Sequence, residues 1–334
     1  VINVSSDAQL RTAVGQTADL NINITGSFTL TSPLTIPSNA YVFTGNGFNI
    51  TSSGGGLSFP AVTKVQNLRV DGGRAQYLQN TATTGAGLNL STGTTSLTNG
   101  ASFTSNTATA GNGGAVNKTS TAILNVTGAS DFSSNSTTGS GGAIRSIGTG
   151  TTTLNGASTF TSNTSTAAVS TTAGGGAIQN TSTGLFRVDG LATFGSSPDT
   201  TNPLGSLGNV STSHGGAIFN SGAGVRIDLN NGAAFYNNRS TGASSNGGAI
   251  FNTGGATFTV GATSGNSIFT GNGKTSAGVT TTISGGAIYN NTSSTVTLSG
   301  GSTFTSNGAT TTGGALWNGG TATLNGATTL SNNS

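Results

Sequence analysis

The chain has 334 residues, 56 of them Gly and only 5% charged, with a net charge of +3 and no Cys, Met or Glu. Zero Cys excludes disulfides, thiolate metal sites and a cysteine nucleophile; the ten Lys and Arg form no basic run, which argues against nucleic acid as a partner. No apolar run approaches the roughly 20 residues of a membrane-spanning helix, and the apolar residues return at fixed offsets, which a disordered Gly/Ser/Thr-rich tract has no reason to do.

In chain order, the first predicted element is a short helix. Ser6-Asp7-Ala8-Gln9-Leu10-Arg11-Thr12-Ala13-Val14 offers Ser6 as an N-cap and sets Leu10, Ala13 and Val14 on one face. Laid over the first coil, it would shield an open core. Residues up to about 80 then alternate like strands without a clean repeat: Asn21-Ile22-Asn23-Ile24, Phe28-Thr29-Leu30 and Leu34-Thr35-Ile36. Phe43/Asn46 has the form Phe-x-x-Asn, and coiling is expected to begin there. Arg69, Asp71 and Arg74 beside Gly72-Gly73 read as surface ion pairing rather than catalysis. The chain divides at this point into 1–80, a cap with the first coils, and 81–334, the repeat body of one continuous solenoid domain. The start at Val1 is expected to reflect processing or excision.

Two motifs then alternate. Gly-Gly-Ala-aliphatic occurs at Gly113 to Val116, Gly141 to Ile144, Gly175 to Ile178, Gly215 to Ile218, Gly247 to Ile250, Gly285 to Ile288 and Gly313 to Leu316. Phe-x-x-Asn occurs at Phe103/Asn106, Phe132/Asn135, Phe160/Asn163, Phe235/Asn238, Phe269/Asn272 and Phe304/Asn307, with a degenerate copy at Phe194 and a terminal Leu330/Asn333. A period of 28 to 40 residues with no helical pattern indicates stacked coils of strands. The expected fold is all-β: a right-handed parallel β-helix with three short strands per coil, bends at Gly or Asn, and about ten coils forming a rod on the order of 50 Å long. From the first Gly of each motif to the following Phe or Leu330 the spacings are 19, 19, 19, 20, 22, 19 and 17, whereas from each Phe to the next Gly-Gly they are 10, 9, 15, 21, 12, 16 and 9. One arc is nearly constant and the other is not, so insertions are expected on a single variable edge, and the Thr164–Ala173 linker is expected to tolerate shortening.

Strand alternation turns the aliphatic residue of each Gly-Gly-Ala motif inward and the next residue outward. The outward position holds Asn117, Arg145, Gln179, Phe219, Phe251, Tyr289 and Trp317. The last four coils are therefore expected to carry an exposed aromatic ladder, Phe219, Phe251, Tyr289 and Trp317. Two readings stand: the variable loops fold over these rings or the rings merely stack, or the ladder is a contact stripe for another subunit or a glycan. One residue further on, Asn180, Asn220, Asn252, Asn290 and Asn318 are placed to form an amide ladder.

Catalytic chemistry finds little footing. The seven Asp are scattered, with only Asp189 and Asp199 between the same two Gly-Gly motifs, whereas acid–base work or calcium binding on this fold needs carboxylates together. His214 is the only histidine and has no second ligand for a metal. Gly273-Lys274-Thr275 resembles a phosphate loop, but the upstream glycine position is Ile268, so the match fails. Fourteen Asn-x-Ser/Thr sequons are present, close to what a Ser/Thr-rich chain yields by chance. We expect no enzyme, no catalytic residue, no cofactor and no metal.

The alternation of Gly-Gly-Ala-Ile with Phe-x-x-Asn over residues 100 to 333 resembles the passenger repeats of the chlamydial polymorphic membrane proteins. That resemblance implies a right-handed parallel β-helix displayed on a cell surface, with roles in adhesion and self-oligomerisation. The chain departs from those proteins in lacking Cys, and no C-terminal barrel is expected within these 334 residues. The expected function is a non-enzymatic extracellular or cell-surface structural protein that assembles with itself into a filament, sheath or surface layer. The alternative is a surface adhesin for glycans or a host surface, and a carbohydrate-active β-helix enzyme is the third reading. Because the chain stops within a repeat, the last coil is expected to be covered by a neighbouring copy or a further segment.

Overall fold

The computed structural model describes residues 1–16, 20–32, 34–35, 40–44, 50–52, 57–59, 67–71, 75–78, 81–97, 100–197, 207–261, 265–275 and 277–334, with the backbone alone between residues 35 and 82. Strands recur every coil and pair in parallel with the equivalent strand of the next coil, giving a parallel β-helix. One coil runs Ile123–Val126, Ser130–Ser133, Ser136–Thr137 and Ile144–Gly148 before Thr152–Leu154 opens the next. The first position builds a 12-stranded sheet, the second an 11-stranded sheet and the last a 10-stranded sheet. We call these the first, second and third sheets. Between the second and third lies a fourth ladder of two-residue strands, six long, from Thr81–Ala82 to Arg239–Ser240. The three principal strands follow the predicted pattern. The fourth was not legible because two extended residues are too few to show alternation.

The core is a set of columns running along the axis. In the second sheet Phe103, Phe132, Phe160, Phe194, Phe235, Phe269 and Phe304 stand in register, at most 1% exposed. Their rings stack at 4.7–4.9 Å with planes within 7°, each pair contributing about 0.5–1.5 kcal/mol beyond its buried area. The third sheet turns Leu88, Val116, Ile144, Ile178, Ile218, Ile250 and Ile288 inward, all fully buried. The first sheet adds Leu97, Val126, Leu154, Val188, Leu229, Val260 and Leu298.

Each Gly-Gly pair has two separate causes. The first Gly takes a positive φ, 69° at Gly141 for example, which a Cβ would strain. The second sits where coils touch: a Cβ on Gly114 would overlap the carbonyl of Gly142, and one on Gly142 that of Gly176.

The helix α1 (Asp7–Val14) forms as the sequence indicates. The Ser6 hydroxyl accepts the Gln9 N–H at 3.3 Å, and Leu10, Ala13 and Val14 are buried in the core. Asp7 ties the helix to the coil by accepting the Thr31 N–H at 3.0 Å, while it pairs with Arg11 at 2.8 Å.

Three expectations need correction. Coiling begins at Ile2–Val4, which pairs with Leu20–Ile24, rather than at Phe43. Phe43 belongs to the first sheet, opposite Ile22 and Val70, and the Phe column is continued instead by Tyr77 and Ile50; a four-residue pattern does not specify its sheet. Asn46 and Arg74, and the side chains of Arg69 and Asp71, lie outside the described residues. The variable edge is not single. Segments 166–173 and 241–246 lie between the fourth ladder and the third sheet, but the 195–208 insertion falls one corner earlier, before Asn209. Nor is Thr164–Ala173 a free linker: Thr164–Ser165 is a ladder strand, and the Ser170 carbonyl and N–H both bond the Ser213 hydroxyl.

The Asn of Phe-x-x-Asn proves to be a ladder residue rather than the bend itself. The preceding residue makes the bend, with φ near 55° at Ser105, Ser134, Ser162, Asn237 and Ser306. The Asn side chains then form a buried column, Asn106, Asn135, Asn163, Asn209, Asn238, Asn272 and Asn307. The backbone N–H and Nδ2 of Asn135 both donate to Asn163 Oδ1, at 3.0 and 2.9 Å, and Nδ2 also donates to the Phe103 carbonyl at 2.8 Å. Asn209 fills the place that the degenerate Phe194 copy left vacant, bonded to Asn163 and Asn238. Asn163→Ala orphans two buried N–H groups of Asn135 and takes the side-chain donor from the Phe132 carbonyl. The expected cost is about 2–4 kcal/mol, read as a lowered denaturation midpoint followed by circular dichroism at the strand band.

Candidate functional site

The outward column of the third sheet is the candidate site. Asn89, Asn117, Arg145, Gln179, Phe219, Phe251, Tyr289 and Trp317 are register neighbours in eight successive coils. Its first half is a hydrogen-bonded chain. Asn117 donates to Asn89 at 2.8 Å; Arg145 donates to Asn117 at 3.3 Å and to Gln179 Oε1 at 3.1 Å. Gln179 donates to the Thr172 carbonyl at 2.8 Å. Burial lowers the pKa of the Arg145 guanidinium, which stays charged at any accessible pH.

The second half is the aromatic ladder. Phe219 and Phe251 stack at 5.5 Å, Phe251 and Tyr289 at 5.1 Å, and Tyr289 and Trp317 at 4.2 Å. Only part of it reaches solvent. Phe219 is 0% and Phe251 4% exposed, which corrects the expectation of an open stripe for these two, while Tyr289 and Trp317 are half-buried. The variable segments cover the first two rings. Gly174 passes so close that a Cβ there would lie 3.0 Å from Phe219 Cδ2, and the His214 ring stacks on Phe251 at 4.3 Å. Burial raises the pKa of the Tyr289 hydroxyl.

The amide ladder forms as predicted: Asn180, Asn220, Asn252, Asn290 and Asn318 donate each to the next at 2.7–3.1 Å. Its register continues back to Ser146 and Lys118, and Lys118 is a residue that sequence reasoning missed. It is 0% exposed, and its Nζ donates to the Gly150 carbonyl at 2.6 Å. That carbonyl keeps a second donor, the Ser182 hydroxyl at 3.1 Å. Burial pushes the Lys118 pKa down to about 8. The signal was available in its offset, two residues after Val116, the same as that of Asn180 after Ile178.

The remaining singled-out groups are engaged in structural contacts. Asp228 pairs with Arg226 at 2.7 Å and Asp189 with Arg187 at 3.1 Å, while Asp131 accepts from Ser133 and Thr159. Lys274 bridges to Thr280 within its own insertion. Among the described residues no three His, Cys, Asp or Glu gather as a metal site, and no helix is long and apolar enough to cross a membrane. The sequons have a structural origin: Asn135, Asn163, Asn180, Asn209, Asn238 and Asn290 are fully buried ladder residues, followed by the Ser and Thr of the strands.

Against known families, residues 129–146 match the Chlamydia polymorphic membrane protein (Chlamydia_PMP) repeat. This stretch holds Phe132, Asn135 and Gly141 to Ile144, one full alternation of the two motifs. No curated protein and no solved structure matches the chain.

The lowered Lys118 pKa fixes the sign of a pH effect. Between about 8 and the ordinary 10.5 the unfolded chain binds a proton that the folded chain does not, so stability rises with pH across that window. Lys118→Met should abolish that rise and raise stability at pH 7 by about 1–3 kcal/mol, since it removes a buried charge without a carboxylate. Denaturation midpoints of parent and variant from pH 7 to 10 check both statements.

Proposed function

We propose that this chain is a non-enzymatic structural repeat protein of a cell surface or extracellular layer, which associates with copies of itself through the Tyr289–Trp317 end of the outward column. The observation that carries this reading is how those rings are presented. Tyr289 is stacked on both faces, by Phe251 and by Trp317, yet both Tyr289 and Trp317 remain half-exposed. Tyr289 therefore meets solvent by its edge, while Trp317 is stacked by a ring on one face. A glycan stacks on an open ring face, whereas a protein surface fills in around a ring edge such as that of Tyr289, which supports self-association over the adhesin reading. Trp and Tyr are also residues on which protein interfaces concentrate their binding energy. The polymorphic membrane protein repeat matched at residues 129–146 supports a setting at the cell envelope. A carbohydrate-active enzyme is the weakest reading, because Asp189 and Asp228 are each held by an arginine on their own strand segment.

The test is assembly of Tyr289→Ser/Trp317→Ser. Sedimentation and negative-stain images at matched concentration should show oligomers or fibres for the parent. The double variant should keep its strand spectrum and lose about 2–4 kcal/mol of association energy. Equal assembly of the two proteins would remove the column from the interface.

A further inference from the structure

His214 is the sole histidine of the chain and is 6% exposed. It stands where three segments meet. Its ring lies on Phe251, 4.3 Å between centroids and 18° from parallel. Its Nδ1 accepts the backbone N–H of Asn246 at 3.0 Å. Its own carbonyl accepts the Gly175 N–H at 3.0 Å, and it forms a β-bridge with Gly174, the residue that closes over Phe219. Ser213, next to it, donates its hydroxyl to the carbonyls of Ser170 and Ala173. The segments joined here are otherwise exposed: Ala168, Val169, Thr171 and Thr172 on one side, Thr241, Ala243 and Ser244 on the other.

The bond from Asn246 requires a lone pair on Nδ1. A protonated imidazole carries N–H on both nitrogens and accepts nothing, so protonation sets two donors against each other in a buried site. Among the described residues no anion lies on the segments packed against it. Residues 164–175 and 241–252 contain no ionisable side chain. The titratable or charged groups of the elements packed around His214 are Arg145, two coils away on the outward column, Arg239, which opens the segment leading to Asn246, and Tyr289 beyond Phe251. None of them is an anion near neutral pH.

We propose that His214 is an acid-released latch: its protonation frees the 168–174 and 241–246 segments from the outward column and bares Phe219 and Phe251, completing one open aromatic strip with Tyr289 and Trp317. Burial holds the imidazole at about 4 in the closed form, against 6.5 when free. The open form therefore binds the proton more tightly, and the opening constant is flat above pH 6.5 and rises about tenfold per pH unit below it until the closed form itself titrates. The latch is independent of whether the strip meets a partner.

The experiment is made on the full chain. Selective isotope labelling gives one imidazole signal, titrated by NMR, and hydrogen exchange, corrected for its intrinsic pH dependence, is followed at pH 6.5 and 4.5. The expected results are an imidazole pKa well below 6.5 and an increase of about fortyfold in exchange of peptides from 168–174 and 241–246 at the lower pH. Peptides around Phe132 and Phe160 should stay protected. His214→Gln, whose Oε1 accepts from Asn246 without titrating, should hold these segments closed at both pH values, and His214→Phe, which keeps the stack alone, should show no pH dependence. An imidazole titrating at 6.5 or above, unchanged exchange in the parent, or the same acid opening in His214→Gln would each overturn the latch.

Discussion

Every stacked contact in this protein depends on one distance, the separation of hydrogen-bonded parallel strands, about 4.8 Å. The Phe rings adopt it, at 4.7–4.9 Å, because their backbones leave no choice. Near-parallel planes at that centroid distance are offset rather than face to face, the arrangement that ring quadrupoles favour. The same spacing decides which residue types a column can hold. Asn can donate and accept at once, so it repeats without limit; an aliphatic side chain simply packs on its copy. A charge cannot repeat, since like charges directly opposite repel. This accounts for a chain that is only 5% charged. Among the described residues no charge meets its own sign in register: Arg187 faces Asp228, Arg145 lies between Asn117 and Gln179, and Asp131 lies between Ser102 and Thr159.

The parts of this architecture that repeat at fixed offsets are legible in the sequence alone. Ile218 inward and Phe219 outward follow from strand alternation alone, and the Asn180-to-Asn318 ladder follows from the same register. What alternation reports is the side of a strand, not what later folds over that side. Phe219 and Phe251 were therefore placed correctly on the outer face and wrongly in solvent, because Gly174 and His214 arrive from segments of irregular length. Asn209 was invisible for a related reason: the 195–208 insertion separates it from Phe194, so no local pattern marks it, although the ladder needs it as much as Asn163. Lys118 shows a different limit. Its offset was readable, but its full burial depends on the closed corner formed with Gly150 and Ser182 of the following coils.

The bends show the same division between pattern and cause. Phe-x-x-Asn draws the eye to Asn as the tolerant residue of a turn, yet the strained conformation falls on the residue before it, usually Ser. The amide is spared for bonding. Only with its side chain turned inward can Asn satisfy the carbonyl of the preceding coil's Phe as well as its neighbour in the ladder.

The two amide ladders also give the rod an electrical direction. In both, the side-chain nitrogen of each Asn donates to the oxygen of the Asn in the following coil, as Asn135 does to Asn163 and Asn220 to Asn252. Every amide oxygen in these ladders consequently faces the preceding coil, and the dipoles add rather than cancel, much as peptide dipoles add along a helix. The axis of the coil thus has a positive and a negative sense, fixed by side chains that are buried in all but the last coil.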